Sequence, residues 1–172
     1  MSILSLLKLS RVPFAGFAAI GIGWGTFAAA IPDLKAALEL TETQLGTALF
    51  FGAMGAITSM AASARIMSWF GTGRGLIGSV CAFLALAFTL PSFANSLVTL
   101  ALSMTFVGLA TGLLDVVINA RISQIEARSG KPLMNLNHGG FSLAYAIAAI
   151  CKGFGREAGL APSQLYPVAA TG

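Results

Sequence analysis

One acidic residue interrupts a long apolar stretch, where an ionisable side chain is costly. Asp115 follows a charge-free run from 75 to 114, and Asn119 comes one helical turn after it. The single histidine of the sequence, His138, lies in a further charge-free run from 132 to 151. A carboxylate beside an imidazole forms a pair that can exchange protons near neutral pH. These residues are therefore candidates for proton coupling or for contact with a solute.

Each candidate shares a helical face with other small or polar residues. A spacing of four, three and four places one group on a single side of an α-helix: Gly108, Gly112, Asp115 and Asn119. A second group is spaced as one polar stripe: Asn135, His138, Ser142, Tyr145 and Lys152. The candidate substrate or coupling residues are thus Asp115, Asn119, His138, Asn135, Ser142 and Tyr145.

Depth along the two helices predicts that Asp115 and His138 can meet. Asp115 lies six residues from Arg121 and His138 seven residues from Lys131, so each is about 10 Å from the nearest boundary charge at the helical rise. An alternative stays open, because Asp, Asn and His near a helix end also serve as hydrogen-bonded anchors between helices or as latches of a gate. Trp24, likewise, can be a packing or an interface aromatic.

Composition predicts the elements that hold these residues. Hydrophobic residues make up 56% of the chain and charged residues only 9%, and the mean hydropathy is +0.85. So little polar surface does not keep 172 residues in solution, which predicts an integral membrane protein. The runs lack the alternation of barrel strands. The expected fold is therefore all-α, a polytopic membrane helix bundle.

The charge-free runs divide into five membrane spans and the start of a sixth. A helix needs about 20 apolar residues to cross about 30 Å of hydrocarbon, so the run from 75 to 114 holds two spans with a turn at Pro91 to Ser96. The predicted spans are 12-31, 44-65, 75-92, 97-119 and 133-154, and a partial sixth begins at about 160. Residues 1–172 are expected to form a single truncated transmembrane bundle. Its longest loops, Pro32 to Thr43 and Arg121 to Pro132, leave no room for a soluble domain.

The basic residues predict an orientation in the membrane. With a cytoplasmic amino terminus, seven of them lie inside and three outside: Lys8, Arg11, Arg65, Arg74, Arg121, Arg128 and Lys131 against Lys35, Lys152 and Arg156. They lie at the ends of apolar runs and form no stripe, so the net charge of +4 does not indicate nucleic acid as a partner. The expected location is a membrane crossed several times, the cytoplasmic membrane of a bacterium.

Neither an enzyme site, a metal site nor a cofactor site is predicted. His138-Gly139-Gly140 and Gly140-Phe141-Ser142-Leu143-Ala144 resemble pieces of a hydrolase site, but they overlap on one helix and no triad accompanies them. The glycines are better explained by packing, because small residues let membrane helices approach closely. They recur within three predicted spans, at Gly21, Gly23, Gly25, Gly46, Gly52, Gly55, Gly108 and Gly112.

Four segments resemble the major facilitator superfamily, in particular a bacterial branch of mostly unassigned substrate that is distantly similar to sugar/proton symporters. They are Ala30 to Lys35, Leu40 to Gly46, Gly112 to Ala120, and Gly130 to Met134 continuing to His138 and Leu143. Between the second and third spans, the chain keeps a remnant of the superfamily's loop motif: Arg65, Gly71 and Arg74. Ser68 stands where the family has an Asp that helps to latch the two halves of the transporter on the cytoplasmic side.

The resemblance implies a twelve-helix fold of two six-helix bundles, with a solute bound between them and exposed alternately to each side. This chain covers less than one bundle. The expected partners are the lipid bilayer, a small polar solute with protons or another ion, and the missing carboxyl-terminal bundle. The expected function is secondary active transport by alternating access in the full-length parent. The alternative is a non-transporting fragment or a helical membrane assembly partner.

Overall fold

The computed structural model describes residues 3–158, and within them the chain is helical with no β-strand. The helices are α1 (Ile3–Leu9), α2 (Arg11–Ala37), α3 (Glu42–Phe70), α4 (Arg74–Thr89), α5 (Leu97–Ser129) and α6 (Met134–Glu157). A 3₁₀ turn, Leu90–Phe93, extends α4. The all-α fold predicted from the sequence is confirmed. The sixth span predicted from about residue 160 lies outside the described residues.

Four helices of the described chain are long and apolar enough to cross a membrane: Arg11–Ala37, Glu42–Phe70, Arg74–Phe93 and Leu97–Ser129. α6 is 24 residues long, which is about 36 Å at the helical rise, but it is less apolar than these four. Its polar side chains, discussed below, lower its hydropathy. The count of five spans therefore stays a prediction.

The first predicted loop, Pro32 to Thr43, is wrong over its first half. α2 continues through Pro32 to Ala37, because a proline removes one backbone donor and bends a helix without always ending it. The final turns of α2 are also held from α6, where Arg156 lies 3.1 Å from a carboxylate oxygen of Asp33. The connection to α3 is therefore short and begins at Leu38.

The second predicted loop, Arg121 to Pro132, is wrong over most of its length. α5 continues to Ser129, because the sequence contains no Gly or Pro between Arg121 and Ser129 that would stop a helix. Gly130 ends α5 with φ 65°, the left-handed conformation that a glycine adopts without steric cost. Gly71 ends α3 in a similar way, with φ 69°.

Two helices begin with reciprocal capping boxes. At the start of α3, the side chain of Thr41 accepts from the backbone N–H of Gln44, and the Gln44 side chain accepts from the backbone N–H of Thr41. Ser96 and Thr99 form the same arrangement at the start of α5. Each box satisfies backbone donors that the first helical turn leaves without a partner. The sequence itself thus defines where the second and fourth apolar helices begin.

Helices α3 and α5 pack with their backbones in direct contact. Gly108 lies against the carbonyl of Gly52, and Gly55 lies against the carbonyl of Thr105. A Cβ atom added at Gly108 or at Gly55 would overlap these carbonyl oxygens. Gly112, one turn further along α5, lies against the backbone of α3 in the same way. Close approach of this kind is how small residues hold helices together in lipid.

Helices α2 and α6 form a second pair of the same kind. Gly21 and Gly25 lie against backbone atoms of α6, and a Cβ at Gly25 would overlap the carbonyl of Tyr145. Gly23 lies on another side of α2, where it contacts the ring of Phe88 on α4. Among the residues that the structure describes, no atom lies within 4 Å of the Cβ position at Gly46, so Gly46 makes no close helix contact there. The predicted packing role therefore holds for seven of the eight glycines and is wrong for Gly46.

The core of the bundle is built around α5. Its buried apolar side chains include Leu100, Met104, Val107, Ala110, Leu114, Val117, Ile118 and Ile122. α4 packs against both α5 and α2, and it contributes Ile77, Val80, Leu84 and Ala87 to the same core. α5 is therefore fixed from several sides, which gives Asp115 a defined position on a rigid helix.

A test of this packing compares two Gly-to-Ala changes. Gly108→Ala is expected to lower the free energy of unfolding by about 1 to 3 kcal/mol, because the methyl group collides with the carbonyl of Gly52. Gly78→Ala, in α4, is the control, since nothing lies within 4 Å of the added methyl group. Thermal unfolding in detergent micelles, followed by circular dichroism, measures both. Equal midpoints for the two variants would contradict the proposed packing.

Candidate functional site

A cavity of about 230 Å³ opens between four helices at the level of Asp115. Its walls come from α2, α3, α5 and α6, and they are mostly apolar or aromatic: Phe17, Ile20, Trp24, Ala56, Met60, Thr111, Gly112, Asp115, His138 and Phe141. The cavity exists because the glycine pairs bring the helix backbones together on either side of it. The structure thus brings together Asp115 and His138, as their depth along the helices predicts.

The carboxyl group of Asp115 has a neutral hydrogen-bond donor on its own helix. The side-chain nitrogen of Asn119 donates to Oδ1 of Asp115 at 3.1 Å and to the backbone oxygen of Asp115 at 2.8 Å. His138, on α6, lies close enough to interact electrostatically with the same carboxyl group. Asp115 and Asn119 are both half-buried. The carboxyl group of Asp115 thus has one hydrogen-bond donor on α5 and one ionisable neighbour on α6.

His138 lies at the edge of the cavity, against an aromatic ring of α2. Its ring centroid is 4.5 Å from that of Phe17, and the two planes are inclined at 47°. His138 is nevertheless exposed in the described chain, so one side of its imidazole is open. The contact with Phe17 fixes the ring, and the open side leaves it accessible to a solute or to water.

The remaining residues of the predicted α6 stripe lie on an exposed face. Asn135, Ser142 and Tyr145 are all exposed, and none of them lines the cavity that holds Asp115. The Ser142 hydroxyl donates to the backbone oxygen of His138 at 3.3 Å. Lys152 departs from the stripe, since only 5% of it is exposed. At about 100° per residue, Lys152 lies within about 20° of Tyr145 around α6, so its burial comes from the end of α2 beside it, where Asp33 lies, and not from its position around the helix.

A second polar cluster lies at the carboxyl ends of α2 and α6. Arg156 pairs with Asp33 at 3.1 Å and donates to the backbone oxygen of Ala29 at 3.5 Å. Lys152 is buried nearby and interacts electrostatically with Asp33. Asp33 was expected in a loop, but the extension of α2 places it on a helix. Asp33 thus joins the end of α2 to Arg156 of α6 by an ion pair and lies near a second basic residue of α6, Lys152.

The residues of the loop motif surround the short connection from α3 to α4. Arg65 lies on α3, where its guanidinium is 5.2 Å from the ring centre of Trp69. Gly71 ends α3, and Arg74 is the first residue of α4. The connection is tied to α5 by Thr72, whose hydroxyl donates to the side chain of Gln124 at 2.8 Å. These residues follow Met60, the last residue of α3 in the cavity wall, and lie at the opposite end of the bundle from Asp33.

Sequence reasoning missed a hydroxyl group in the cavity wall. Thr111 lies one turn before Asp115, and its hydroxyl oxygen is buried with no hydrogen-bond partner among the described residues. The signal was present in the sequence, because Thr111, Asp115 and Asn119 are spaced four residues apart. A buried hydroxyl without a partner is costly, so this one is available to a bound solute.

Sequence reasoning also missed the residue that begins α6. A carboxylate oxygen of Glu126, near the end of α5, accepts from the backbone N–H groups of Leu133 and Met134, the latter at 2.9 Å. A negative charge at a helix start satisfies free donors and favours the helix dipole. The contact spans seven to eight residues across a turn. Its signal was hidden, because Glu126 was expected in a loop.

Comparisons with known proteins give two relatives. The chain is 29% identical over 129 residues to an uncharacterized MFS-type transporter of Yersinia pestis, a match that covers 75% of this chain and 33% of the relative. It is 26% identical over 148 residues to an uncharacterized transporter of Sinorhizobium fredii, with 84% of this chain and 38% of the relative covered. No family model matches the chain, and no solved structure matches it significantly.

These relatives confirm the predicted resemblance to transporters of the major facilitator superfamily. The chain spans about a third of the length of the relatives it matches, 33% and 38%. Both relatives are named as transporters and neither as an enzyme. Together with the four apolar helices, the similarity identifies a multi-pass membrane protein that is similar to transporters of this superfamily.

The charged cluster at the ends of α2 and α6 can be tested by two carboxylate-to-amide changes. Asp33→Asn leaves the cations of Lys152 and Arg156 together without the carboxylate, and is expected to lower the free energy of unfolding by about 1 to 3 kcal/mol. Glu42→Gln is the control, since it breaks the more exposed ion pair with Lys35 and should cost less than about 1 kcal/mol. Thermal unfolding at pH 7 compares them, and a larger loss for Glu42→Gln would refute the interpretation.

Proposed function

We propose that the chain is part of a secondary active transporter that carries a small polar solute across the cytoplasmic membrane of a bacterium, coupled to protons. The observation that carries this proposal is the cavity in which Asp115 and His138, from two different helices, line a common space. Two relatives named as transporters support the same class of function. The whole transporter requires a second bundle that this chain does not contain.

Asp115 is the coupling residue in this proposal. A carboxyl group within the membrane costs free energy when it is charged, and a proton or a bound solute removes that cost. Asn119 donates to the carboxylate, and His138 lies on the other side of the cavity as a second proton-carrying group. No other titratable side chain lines the cavity among the described residues of α2, α3, α5 and α6. The protonation of Asp115 and His138 would therefore decide which conformation of the site is the more stable.

In this proposal, the exposed polar face of α6 takes part in alternating access. Asn135 and Ser142 are exposed on α6, and Tyr145, whose backbone lies against Gly25 of α2, also has an exposed side chain. In the full-length parent, this face would meet the solute or the carboxyl-terminal bundle. The charge distribution supports a cytoplasmic amino terminus, with the connection that carries Gly71 and Arg74 on the cytoplasmic side. Opening and closing would then expose Asp115 to each side in turn.

The coupling role can be tested in the full-length parent. Asp115→Asn keeps the size of the side chain and its contact with Asn119 but cannot carry a titrating proton. We expect the variant to lose accumulation of its solute against a gradient by at least tenfold, while exchange of solute without net proton movement continues. Uptake and counterflow in proteoliposomes measure the two activities.

The control is Glu42→Gln, which removes an exposed carboxylate near the start of α3 and should accumulate solute like the wild type. If Asp115→Asn accumulates its solute as the wild type does, Asp115 is not the coupling residue. If neither the wild-type parent nor its variants move any solute, the alternative of a non-transporting assembly partner is favoured.

A further inference from the structure

The cavity beside Asp115 combines one carboxylate with several aromatic rings. Trp24, Phe17 and Phe141 line it, and the polar side chains in its wall are those of Thr111, Asp115 and His138. From these groups we infer that the solute of the proposed transporter is an organic cation, an amine or a quaternary ammonium compound. This inference rests on the proposed function and names the chemical class of its solute.

The aromatic part of the site is held in a fixed geometry. The indole of Trp24 meets the rings of Phe27 and Phe88 edge to face, with centroid distances of 5.8 and 5.6 Å and angles of 88° and 84°. Phe17 is fixed by its contact with His138 at 4.5 Å. Rigid aromatic faces attract a cation through their quadrupole, and the attraction strengthens where water is excluded. The aromatic rings of the wall therefore form a preorganised binding site for a positively charged group.

The charge balance of the cavity favours a cation over an anion. Asp115 is the single acidic group in its wall, and no Lys or Arg lines it among the described residues. The carboxylate is hydrogen-bonded to the neutral amide of Asn119, and His138 is the one described residue of the wall besides it that can carry a positive charge. While His138 is neutral, a carboxylate or phosphate ligand would be repelled, and a ligand ammonium group would supply the counter-charge of Asp115.

The composition of the wall also argues against a sugar. A sugar carries hydroxyl groups on most of its carbons, and each must find a partner when it leaves water. The described wall offers Thr111, Asp115 and His138 for this purpose, and the rest is apolar or aromatic. An ammonium group with methyl or methylene substituents matches this mixture better. The cavity, of about 230 Å³, has room for a small head group of this kind.

The test uses choline and its neutral isostere, 3,3-dimethylbutan-1-ol, which differ by a nitrogen cation in place of a carbon. The chain has two tryptophans, so Trp69→Phe leaves Trp24 as the only reporter, and Trp69 is exposed and distant from the cavity wall. Protein in detergent micelles is titrated with choline, the alcohol or glucose while the emission of Trp24 is followed. We expect saturable binding of choline, at least tenfold weaker binding of the alcohol, and no saturable binding of glucose.

Three further variants connect the result to the carboxylate. Asp115→Asn should weaken choline binding at least tenfold and leave binding of the alcohol unchanged, whereas Asp115→Glu, which keeps the charge, should retain most of the affinity. Glu157→Gln, an exposed change at the end of α6, is the control and should bind choline like the Trp69→Phe protein without further changes. Circular dichroism of each variant verifies that its helices are intact.

The inference is overturned if the alcohol binds as tightly as choline or if glucose binds more tightly than both. It is also overturned if the change in Trp24 emission with choline does not saturate, or if Asp115→Asn binds choline as tightly as the Trp69→Phe protein. None of these outcomes contradicts the proposed function if Asp115→Asn still abolishes accumulation of the solute in the full-length parent. Conversely, selective choline binding by a parent that accumulates no solute would support the cation site and contradict the transporter.

Discussion

The interior of a bilayer offers no water to the backbone, and the structure of this protein follows from that constraint. Every amide inside the membrane must be satisfied within its own helix, so the apolar runs become helices. Helices in lipid gain little from burying apolar surface against each other and associate through close van der Waals contact at small residues. Here that contact occurs twice, between α3 and α5 at Gly52, Gly55 and Gly108, and between α2 and α6 at Gly21 and Gly25.

The candidate site depends on these two contacts. α5 carries Asp115 less than one turn beyond Gly112, whose missing side chain lets α3 approach. α6 carries His138 just before the segment that lies against Gly21. Asp115 and His138 thus occupy fixed heights on two tightly packed pairs, and the cavity is the space that remains between the pairs.

Much of this arrangement could be predicted from the sequence, because it depends on local rules. Charge-free runs show where the helices lie, and the spacing of Asp115 and Asn119 shows that they share a face. The helix ends were less predictable. Pro32 did not end α2, since Arg156 and Asp33 join its last turns to α6, and that contact between distant residues has no local signal. Glu126 was missed as the cap of α6 because it was expected in a loop and lies on α5 instead.

The α6 stripe shows that periodicity alone does not decide burial. Asn135, His138, Ser142 and Tyr145 are exposed, but Lys152 is only 5% exposed, because it lies beside the end of α2 that carries Asp33. Periodicity gives the side of a helix on which a residue lies, but it does not show how far along the helix a neighbour covers that side. The exposure of Asn135 and Ser142 depends on which chain covers α6, which a single sequence cannot define.

The central claim is that close packing brings two titratable side chains from separate helices to one cavity. Chemical cross-linking tests it directly in a chain whose native Cys81 and Cys151 are replaced by Ala. Asp115→Cys with His138→Cys should be joined by a bifunctional thiol reagent that spans about 10 Å, the order of two helical turns, as mass spectrometry of digested protein detects. Asp115→Cys with Leu143→Cys, whose second position is 63% exposed on α6 outside the cavity wall, should be joined far less. Equal cross-linking of both pairs, or none of the first, would contradict the account.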